Sequence, residues 1–375
     1  MTTVSDVSAV SIRTTLDEPF GSATGWHDTR STVLVRVEAD DGTVGWGECW
    51  GPIAGNREIV EEYLAPMVEG EDPMRVERIH DRLYGKGRNA FKAHAPLTAI
   101  SGVDIALWDL KGKLLGEPVS TLLGGRERDR IQAYATGHYF KYGADIDEQY
   151  RRITEEAKGN AEALGSLKCK IGLETVGYGY EEDIELVRRI REAVGDEPTL
   201  MVDANCAYDP GTAREVGHAL EELDVYWFEE PVAPHHVDAY ASLRETLDLR
   251  VAGGESHGPH EFDRLFDAGA VDIAQPDAAV VGGLTPIQRI VTQGTQHGIP
   301  VVPHVWGTSV TLAASLNLVS TLPGNPWFEF DRSPNPVRRL AKDTIETDDD
   351  GMIPVPDGPG LGIELDADKI ETYRV

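Results

Sequence analysis

From about residue 130 onward, short apolar runs alternate with amphipathic helical stretches, and this pattern limits the possible folds more than any other. Eight runs are short enough to be buried strands. They span 131–137, 166–172, 199–205, 225–231, 249–255, 271–277, 299–306 and 326–331. Buried strands that alternate with helices form a parallel sheet, because each helix crosses back over one face of the sheet. Eight such units in about 200 residues predict a closed (β/α) barrel.

A doubly wound open sheet is the alternative fold. Such sheets commonly bind dinucleotides through a G-x-G-x-x-G turn after the first strand. No such motif follows residues 131–137, and the pair Gly282-Gly283 comes after the sixth strand, where it is typical of a loop. We therefore favour the barrel.

The first part of the chain predicts a small α+β domain. Apolar residues alternate over 33–39 with the period of a half-buried strand, Asp41-Gly42 supplies a turn, and 43–48 predicts a return strand. Helical spacing follows at about 56–67 and again at 97–115.

These patterns divide the chain into three parts. We expect an N-terminal α+β domain over 1–129, a barrel over 130–334 and a C-terminal segment over 335–375. The N-terminus shows no basic stretch followed by an apolar one, and no apolar run approaches the roughly 20 residues of a membrane span. We therefore predict a cytoplasmic protein with no membrane partner.

The charge balance is strongly acidic. The chain carries 64 acidic and 35 basic residues, which gives a formal net charge of −29 at pH 7. Nucleic acids and anionic membranes are polyanions, so neither is expected as a partner. Only 10 basic residues are lysines, and an acidic, lysine-poor surface suits a protein in concentrated salt. We therefore predict a halophilic origin, with an ordinary acidic cytosolic protein as the alternative.

Ionisable side chains end nearly every predicted barrel strand. A buried strand has no structural use for a charge at its end. The carboxyl ends of barrel strands converge on one mouth, where barrel enzymes place their chemistry. In chain order these residues are Lys168, Lys170, Asp203, Glu229, Glu255, Asp277, His304 and Glu329.

Three of these residues predict a metal site. Asp203, Glu229 and Glu255 are separated by 26 residues each, which places one carboxylate on each of three successive strands. Adjacent carboxylates repel each other unless a cation lies between them, and hard oxygen ligands favour Mg²⁺. The alternative is that each carboxylate caps a helix or pairs with an arginine. Glu230 competes with Glu229, but the period of a strand sends the two side chains to opposite faces, so we expect only one in the mouth.

Lys168 and Lys170 share one face of the second strand. Two neighbouring ammonium groups and a nearby cation disfavour the charged form, so we expect a lowered pKa that makes Lys170 a usable base. The alternative is that both lysines only pair with acidic residues of the mouth.

Asp277 and His304 end the sixth and seventh strands. A carboxylate on one imidazole nitrogen fixes the tautomer and raises the basicity of the other nitrogen. The pair predicts a second acid/base group, across the barrel from Lys170. Together these parts suit removal of the proton α to a metal-bound carboxylate, with the metal stabilising the enediolate that forms.

The residues in this order resemble the mandelate racemase subgroup of the enolase superfamily. The K-x-K of Lys168 and Lys170, the carboxylate triad, the Asp277–His304 pair and Glu329 carry the resemblance. It implies a modified (β/α)7β barrel under an N-terminal α+β capping domain, onto which the C-terminal segment packs. It also implies Mg²⁺, a homo-oligomer, and a role for Glu329 in hydrogen bonding to a substrate carboxylate oxygen.

Several stretches are most similar to family members that act on sugar-acid lactones, among them DGTVGWGEC from Asp41 and PHVWGT from Pro303. This similarity implies a small sugar acid or its lactone as substrate, and β-elimination after the α-proton is removed. We expect Asn205, Trp306 and His27 to bind it, the last from a cap loop over 20–29. Racemisation or epimerisation is an alternative outcome, and a non-catalytic metabolite-binding barrel is a further one.

Overall fold

The computed structural model describes residues 2–51, 53–92 and 94–375. Its strands are β1 (Val4–Ser22), β2 (Gly25–Ala39), β3 (Val44–Cys49), β4 (Arg130–Thr136), β5 (Phe140–Lys141), β6 (Ser166–Lys170), β7 (Thr199–Asp203), β8 (Val225–Glu229), β9 (Arg250–Gly253), β10 (Ile273–Ala274), β11 (Phe328–Asp331) and β12 (Met352–Pro354). Its α-helices are α1 (Ile53–Glu58), α2 (Ala65–Val68), α3 (Val76–Ala90), α4 (Leu97–Leu115), α5 (Val119–Leu122), α6 (Ile146–Leu164), α7 (Tyr180–Val194), α8 (Pro210–Glu222), α9 (Val237–Thr246), α10 (Pro259–Asp267), α11 (Leu284–His297), α12 (Ser309–Val319) and α13 (Ala367–Tyr373). A π-helical turn (Ile59–Leu64) joins α1 to α2, and short 3-10 turns cover Leu173–Val176 and Pro336–Arg339.

An antiparallel sheet in the order β3-β2-β1-β5 forms the cap. The predicted strands at 33–39 and 43–48 lie within β2 and β3. The expected loop over 20–29 is instead the tip of the long β1–β2 hairpin, where Phe20 pairs with His27 and Ser22 with Gly25. β1 was not predicted, because its apolar residues stop alternating in its outer half, where residues 13–20 are exposed or only partly buried.

Helix α4 lies directly on β3, and two glycines make this possible. A Cβ at Gly45 would come 2.1 Å from the carbonyl oxygen of Ala106, and one at Gly47 would come 1.8 Å from that of Gly102. Any larger residue would push the helix away from the sheet. Because the barrel covers the other side of α4, most of its side chains are buried.

The second sheet is the parallel barrel sheet, in the order β10-β9-β8-β7-β6-β4-β11. Helices α6 to α12 follow the first seven strand positions, and no α-helix directly follows the eighth, β11. This is the predicted (β/α)7β arrangement. The seventh position, predicted as a strand over 299–306, pairs with its neighbour only at Ala274–Val301 and Asp277–His304.

The barrel interior shows why charged side chains can be held there. One buried apolar cluster takes a residue from each of six strand positions: Tyr134, Met201, Trp227, Ala252, Ile273 and Val302. At the other two positions, Lys168 lies beside Met201 on the neighbouring strand, and Glu329 lies beside Tyr134. Two opposite charges thus take interior positions that would otherwise be apolar.

The C-terminal segment runs along both parts of the molecule. β12 pairs antiparallel with β4 in the barrel, and Arg374 bridges to Ile12 in the cap. The backbone N–H of Leu361 donates to Asp109 of α4 at 2.8 Å. No helix among the described residues is long and apolar enough to cross a membrane.

Candidate active site

The register of the barrel sheet brings three strand-end residues side by side. Lys170 pairs with Asp203 on the next strand, and Asp203 pairs with Glu229 on the one after. Glu255 follows β9 by two residues. One oxygen from each of Asp203, Glu229 and Glu255 lies within 4.8 Å of the others. The three predicted metal ligands therefore form one carboxylate cluster.

The cluster has the properties of a cation site. Burial raises the pKa of Glu229 to about 8, with Lys168 opposing and Asp203 adding to the rise. Burial and the field of Asp203 also raise the pKa of Glu255, against the effect of His304. Oε2 of Glu255 is buried and accepts no hydrogen bond. Three neighbouring buried carboxylates, one of which keeps an oxygen without a hydrogen bond, fit a hard divalent cation.

Two neighbours of the cluster have left-handed backbone conformations. Asn205 has φ of 42° and Glu230 has φ of 41°. Asn205 donates to Asp203 from its backbone N–H at 2.8 Å and from Nδ2 at 3.2 Å. Its side chain therefore orients a carboxylate of the cluster. Non-glycine residues in this conformation are uncommon and concentrate at functional sites.

Glu230, the neighbour of Glu229, is buried but is not one of the three carboxylates that lie within 4.8 Å of one another. β8 ends at Glu229, so strand alternation does not extend to Glu230, which is only 3% exposed. Burial, reinforced by Glu255 and Asp203, raises its pKa well above the ordinary value. Its Oε1 has no hydrogen-bond partner. Glu230 is therefore a buried carboxylate outside the cluster, and no signal in the sequence shows the backbone turn that buries it.

Lys168 is fully buried among carboxylates. Its Nζ lies 2.5 Å from Oε1 of Glu229 and 2.8 Å from Oε1 of Glu329. Burial would lower the pKa of Lys168, but these two carboxylates outweigh burial and hold it well above its usual value. Burial would raise the pKa of Glu329, but Lys168 and His304 lower it to about 2. Both residues are charged at neutral pH.

Lys170 is paired with a carboxylate of the cluster. Its Nζ contacts Oδ2 of Asp203. Burial and Lys168 lower the pKa of Lys170, but Asp203 outweighs them and raises it above its ordinary value. The expected lowering depended on a nearby cation, whereas the rise reflects the effect of Asp203 on the lysine alone.

His304 and Asp277 lie together on neighbouring strand positions. Nδ1 of His304 is 2.6 Å from Oδ2 of Asp277, and Nε2 faces Oε2 of Glu255 at 3.4 Å. Burial would lower the pKa of His304, but Glu255, Glu329 and Asp277 together raise it to about 10. The backbone N–H of Ala279 donates to the other oxygen of Asp277 at 2.7 Å, which fixes the carboxylate.

Aromatic side chains join the two sides of the mouth. Nε1 of Trp306 donates to Oη of Tyr139 at 3.0 Å, and Nζ of Lys170 lies 5.9 Å from the Tyr139 ring. The ring of Trp50 meets the imidazole of His304 edge-on, with 5.6 Å between centroids. Trp306 is thus part of a wall that runs from Lys170 to His304.

His27 lies farther out. It is exposed on β2 and stacks on Phe20 at 5.2 Å, and Phe20 in turn contacts Tyr139 at 4.5 Å. The structure therefore brings Asn205 and Trp306 to the mouth, and connects His27 to it only through Phe20. The buried Arg30, which the sequence did not suggest, lies 4.2 Å from the Phe20 ring and 4.1 Å from the Trp306 ring.

A capped barrel with acid/base side chains around a carboxylate cluster at the carboxyl ends of its strands defines an enzyme. The family model "Mandelate racemase / muconate lactonizing enzyme, N-terminal domain" matches residues 4–124. The model "Enolase C-terminal domain-like" matches residues 152–369. The chain belongs to the mandelate racemase/muconate lactonizing enzyme family of the enolase superfamily, as its strand-end motifs predicted.

Similar proteins narrow the class to isomerases and lyases. The chain is 43% identical over 370 residues to D-galactarolactone cycloisomerase of Agrobacterium fabrum, with 96% of each chain covered. It superposes on 3,6-anhydro-D-galactonate cycloisomerase of Zobellia galactanivorans with a TM-score of 0.89 and 35% identity, covering 100% and 99% of the two chains. L-talarate/galactarate dehydratase of Salmonella typhimurium matches with a TM-score of 0.85 and 29% identity, covering 100% of this chain and 92% of the other.

The last comparison bears on the metal. A mutant of the dehydratase, liganded with Mg and L-glucarate, matches with the same TM-score of 0.85. Members of the superfamily bind a divalent metal, and this chain has a carboxylate cluster suited to one. Halophilic origin and homo-oligomeric assembly stay predictions.

Proposed function

We propose that this enzyme abstracts the proton α to the carboxylate of a sugar acid, or of its lactone, and completes a β-elimination. One observation carries the proposal. Lys170 and His304 come from strand positions that are not neighbours, and both face the same carboxylate cluster, through Asp203 and Glu255 respectively. A substrate acid held at this cluster would lie between two acid/base groups.

Asp203, Glu229 and Glu255 would hold Mg²⁺. When bound there, the ion would supply positive charge that stabilises the negative charge developing on the substrate carboxylate. The donor set supports this assignment, because all three residues offer hard oxygens and Glu255 keeps one oxygen without a hydrogen bond. Gln275 and Trp227 orient Glu229 by donating to its Oε2 at 2.7 and 3.1 Å.

Lys170 is the proposed α-proton base. It contacts Asp203, so engagement of that carboxylate by a cation would remove the group that raises its pKa, and would favour the neutral amine. We do not assign this role to Lys168, because the carboxylates of Glu229 and Glu329 both stabilise its protonated form. Its role is to neutralise charge beside the substrate carboxylate.

Glu329 would hydrogen-bond a substrate carboxylate oxygen. Its Oε2 accepts from the backbone N–H of Val305 at 2.9 Å, and Lys168 binds its Oε1. Donation to a substrate carboxylate requires a protonated Glu329. Proton uptake by this group would therefore accompany substrate binding.

His304 is the proposed second acid/base group, aligned by Asp277. Hydrogen-bonded to Asp277 and facing Glu329, the imidazole would hold a proton that it could give to the departing β-oxygen. In a sugar lactone that oxygen belongs to the ring, and the reaction is a cycloisomerisation. In an open sugar acid it is a hydroxyl, and the reaction is a dehydration.

Relatives named as cycloisomerases and dehydratases support a sugar-acid substrate. We propose that Asn205, Trp306 and His27 contribute to its binding, with Trp306 offering an aromatic face to its C–H groups. Racemisation or epimerisation is the second candidate, because two acid/base groups on separate strands could each serve one face of the α-carbon.

A panel of sugar acids and lactones that includes D-galactarolactone, assayed with Mg²⁺ in D₂O, tests the proposal. We expect turnover of at least one compound, with a keto or enol product for elimination or an inverted α-carbon for epimerisation. Lys170→Ala should abolish activity while Mg²⁺ binding by calorimetry survives. Lys158→Ala, on the exposed face of α6, is the control. Absence of both turnover and α-deuterium incorporation with every acid would reject the proposal.

A further inference from the structure

The last residues of cap strand β3 contact the segment that carries His304. Glu48 is 2% exposed, and its carboxylate accepts four hydrogen-bond donors from the start of α12. The backbone N–H groups of Thr308 and Thr311 lie 3.0 and 3.1 Å from its oxygens, and their hydroxyls lie 2.7 and 2.6 Å away. A Cβ on Gly307 would come within 3.0 Å of Oε1, so only glycine leaves full room there.

This contact joins the cap to the barrel across 260 residues of sequence. No cation contacts Glu48 among the described residues. Its charge is balanced by the free N–H groups and positive end of a buried eleven-residue helix. Such a buried carboxylate tolerates little movement, because each lost donor would leave a desolvated oxygen.

The anchored segment includes acid/base machinery. Thr308 follows His304 by four residues, and between them Val305 donates to Glu329 at 2.9 Å. Two residues beyond Glu48, the backbone N–H of Trp50 donates to the carbonyl of Ala279 at 3.1 Å. Ala279 in turn donates to Asp277. Glu48 and Trp50, at the end of β3, are therefore connected through hydrogen bonds to the segments that hold His304 and Asp277.

We propose that Glu48 is a positioning residue that holds the 304–308 segment, and with it the imidazole of His304, at the mouth of the barrel. What His304 does there rests on the proposed function. The cap thus does more than cover the substrate, because part of the catalytic geometry depends on a cap side chain that touches no reacting atom.

The chain offers a matched control in Asp104. Asp104 also belongs to the cap and is buried, at 1% exposed. Like Glu48, its carboxylate contacts the start of a barrel helix. It accepts from the backbone N–H of Thr285 at 3.0 Å and from its hydroxyl at 2.6 Å, at the start of α11. The residues around Thr285 include no acid/base group of the mouth. Asp104→Asn therefore removes the same kind of contact without touching the His304 segment.

The experiment compares Glu48→Gln with Asp104→Asn in the full-length enzyme. Loss of alignment by about 1 Å can cost on the order of a hundredfold in rate. We expect kcat to fall about 10- to 100-fold in Glu48→Gln, with KM within about threefold of wild type. In Asp104→Asn, kcat should stay within about twofold. Amide hydrogen exchange over 303–311 should accelerate in Glu48→Gln and stay unchanged in Asp104→Asn.

Equal falls of kcat in both variants, or a kcat in Glu48→Gln within twofold of wild type, would overturn the proposal. If Glu48→Gln does not fold, Thr311→Val removes one hydroxyl donor and Thr311→Ser keeps it, so only the former should lower kcat. If the wild type turns over no sugar acid, the proposed function fails. Hydrogen exchange then decides by itself whether Glu48 holds the segment.

Discussion

Buried carboxylates occupy two regions of this enzyme, the barrel mouth and the interface between cap and barrel. At the interface, Glu48 and Asp104 each accept backbone N–H and hydroxyl donors at the start of a barrel helix. At the mouth, Asp203, Glu229 and Glu255 lie close together, and Oε2 of Glu255 accepts no hydrogen bond, although Nε2 of His304 faces it at 3.4 Å. Backbone and hydroxyl groups hydrogen-bond the carboxylates of one region, whereas those of the other lie close together against charged side chains, Lys168, Lys170 and His304.

The difference separates a stabilising role from a binding role. A buried carboxylate without full compensation costs stability, and the protein tolerates it only where something else compensates it. The interface carboxylates need no ligand and join two parts of the fold. The mouth carboxylates repel each other, and Glu255 keeps an oxygen without a hydrogen bond, which is expected of a ligand site. Replacement of a carboxylate by its neutral, isosteric amide should therefore lower thermal stability at the interface, and keep or raise it at the mouth.

Glu255→Gln tests the mouth and should have the largest effect. Loss of a metal ligand removes several kcal/mol of transition-state stabilisation, and about 4 kcal/mol corresponds to a thousandfold in rate. We expect kcat to fall about a thousandfold, while the Tm measured in EDTA stays at or above that of the wild type. The matched change Glu48→Gln should lower Tm. If Glu255→Gln lowered the Tm in EDTA as much as Glu48→Gln, the distinction between the regions would be wrong.

Addition of Mg²⁺ should stabilise the wild type and leave Glu255→Gln nearly unchanged. At a hundred times its Kd, a ligand that binds only the folded state adds about 2.7 kcal/mol. Thermal unfolding with increasing Mg²⁺ measures this shift, and EDTA should reverse it. Asp104→Asn should show the full shift, because its site takes no ion. A similar shift in Glu255→Gln would place the stabilising ion elsewhere.

Asp104→Asn should destabilise the enzyme with little effect on its rate. The amide keeps one acceptor but loses the charge at the start of α11, so we expect a loss of about 1–3 kcal/mol in urea unfolding. Asp81→Asn is the control at the same interface. Its carboxylate is 59% exposed and meets Arg289 at 2.8 Å, and exposed pairs contribute about 0–1 kcal/mol. Equal losses in the two variants would show that burial of Asp104 does not matter.

The mouth could be predicted from sequence because its residues follow a period. One βα unit separates Asp203 from Glu229, and another separates Glu229 from Glu255, so spacing alone places them on adjacent strands. The capped (β/α)7β fold followed from the same alternation. His304 and Asp277 were also identified by their positions at strand ends.

The contacts between cap and barrel could not be predicted from a repeat in the sequence. Asp104 lies inside α4 and meets Thr285 from 181 residues away, with no repeat that relates them. The turn that buries Glu230 depends on a positive φ, which its side chain does not signal. The contact of Asp203 with the ammonium group of Lys170 could not be predicted either, because spacing shows which strands are adjacent but not which side chains meet.

The effect of salt on stability should distinguish the buried carboxylates of both regions from the acidic surface. This prediction has the smallest expected differences between variants. The net charge of −29 lies mostly on exposed residues, and the Debye length falls from about 10 Å at 0.1 M salt to about 3 Å at 1 M. If the origin is halophilic, Tm in EDTA should rise strongly with KCl. Buried carboxylates are screened much less, so wild type, Glu255→Gln and Asp104→Asn should gain stability within about 0.5 kcal/mol of each other. A much smaller gain in Glu255→Gln would mean that salt ions reach the mouth and compensate its carboxylates directly.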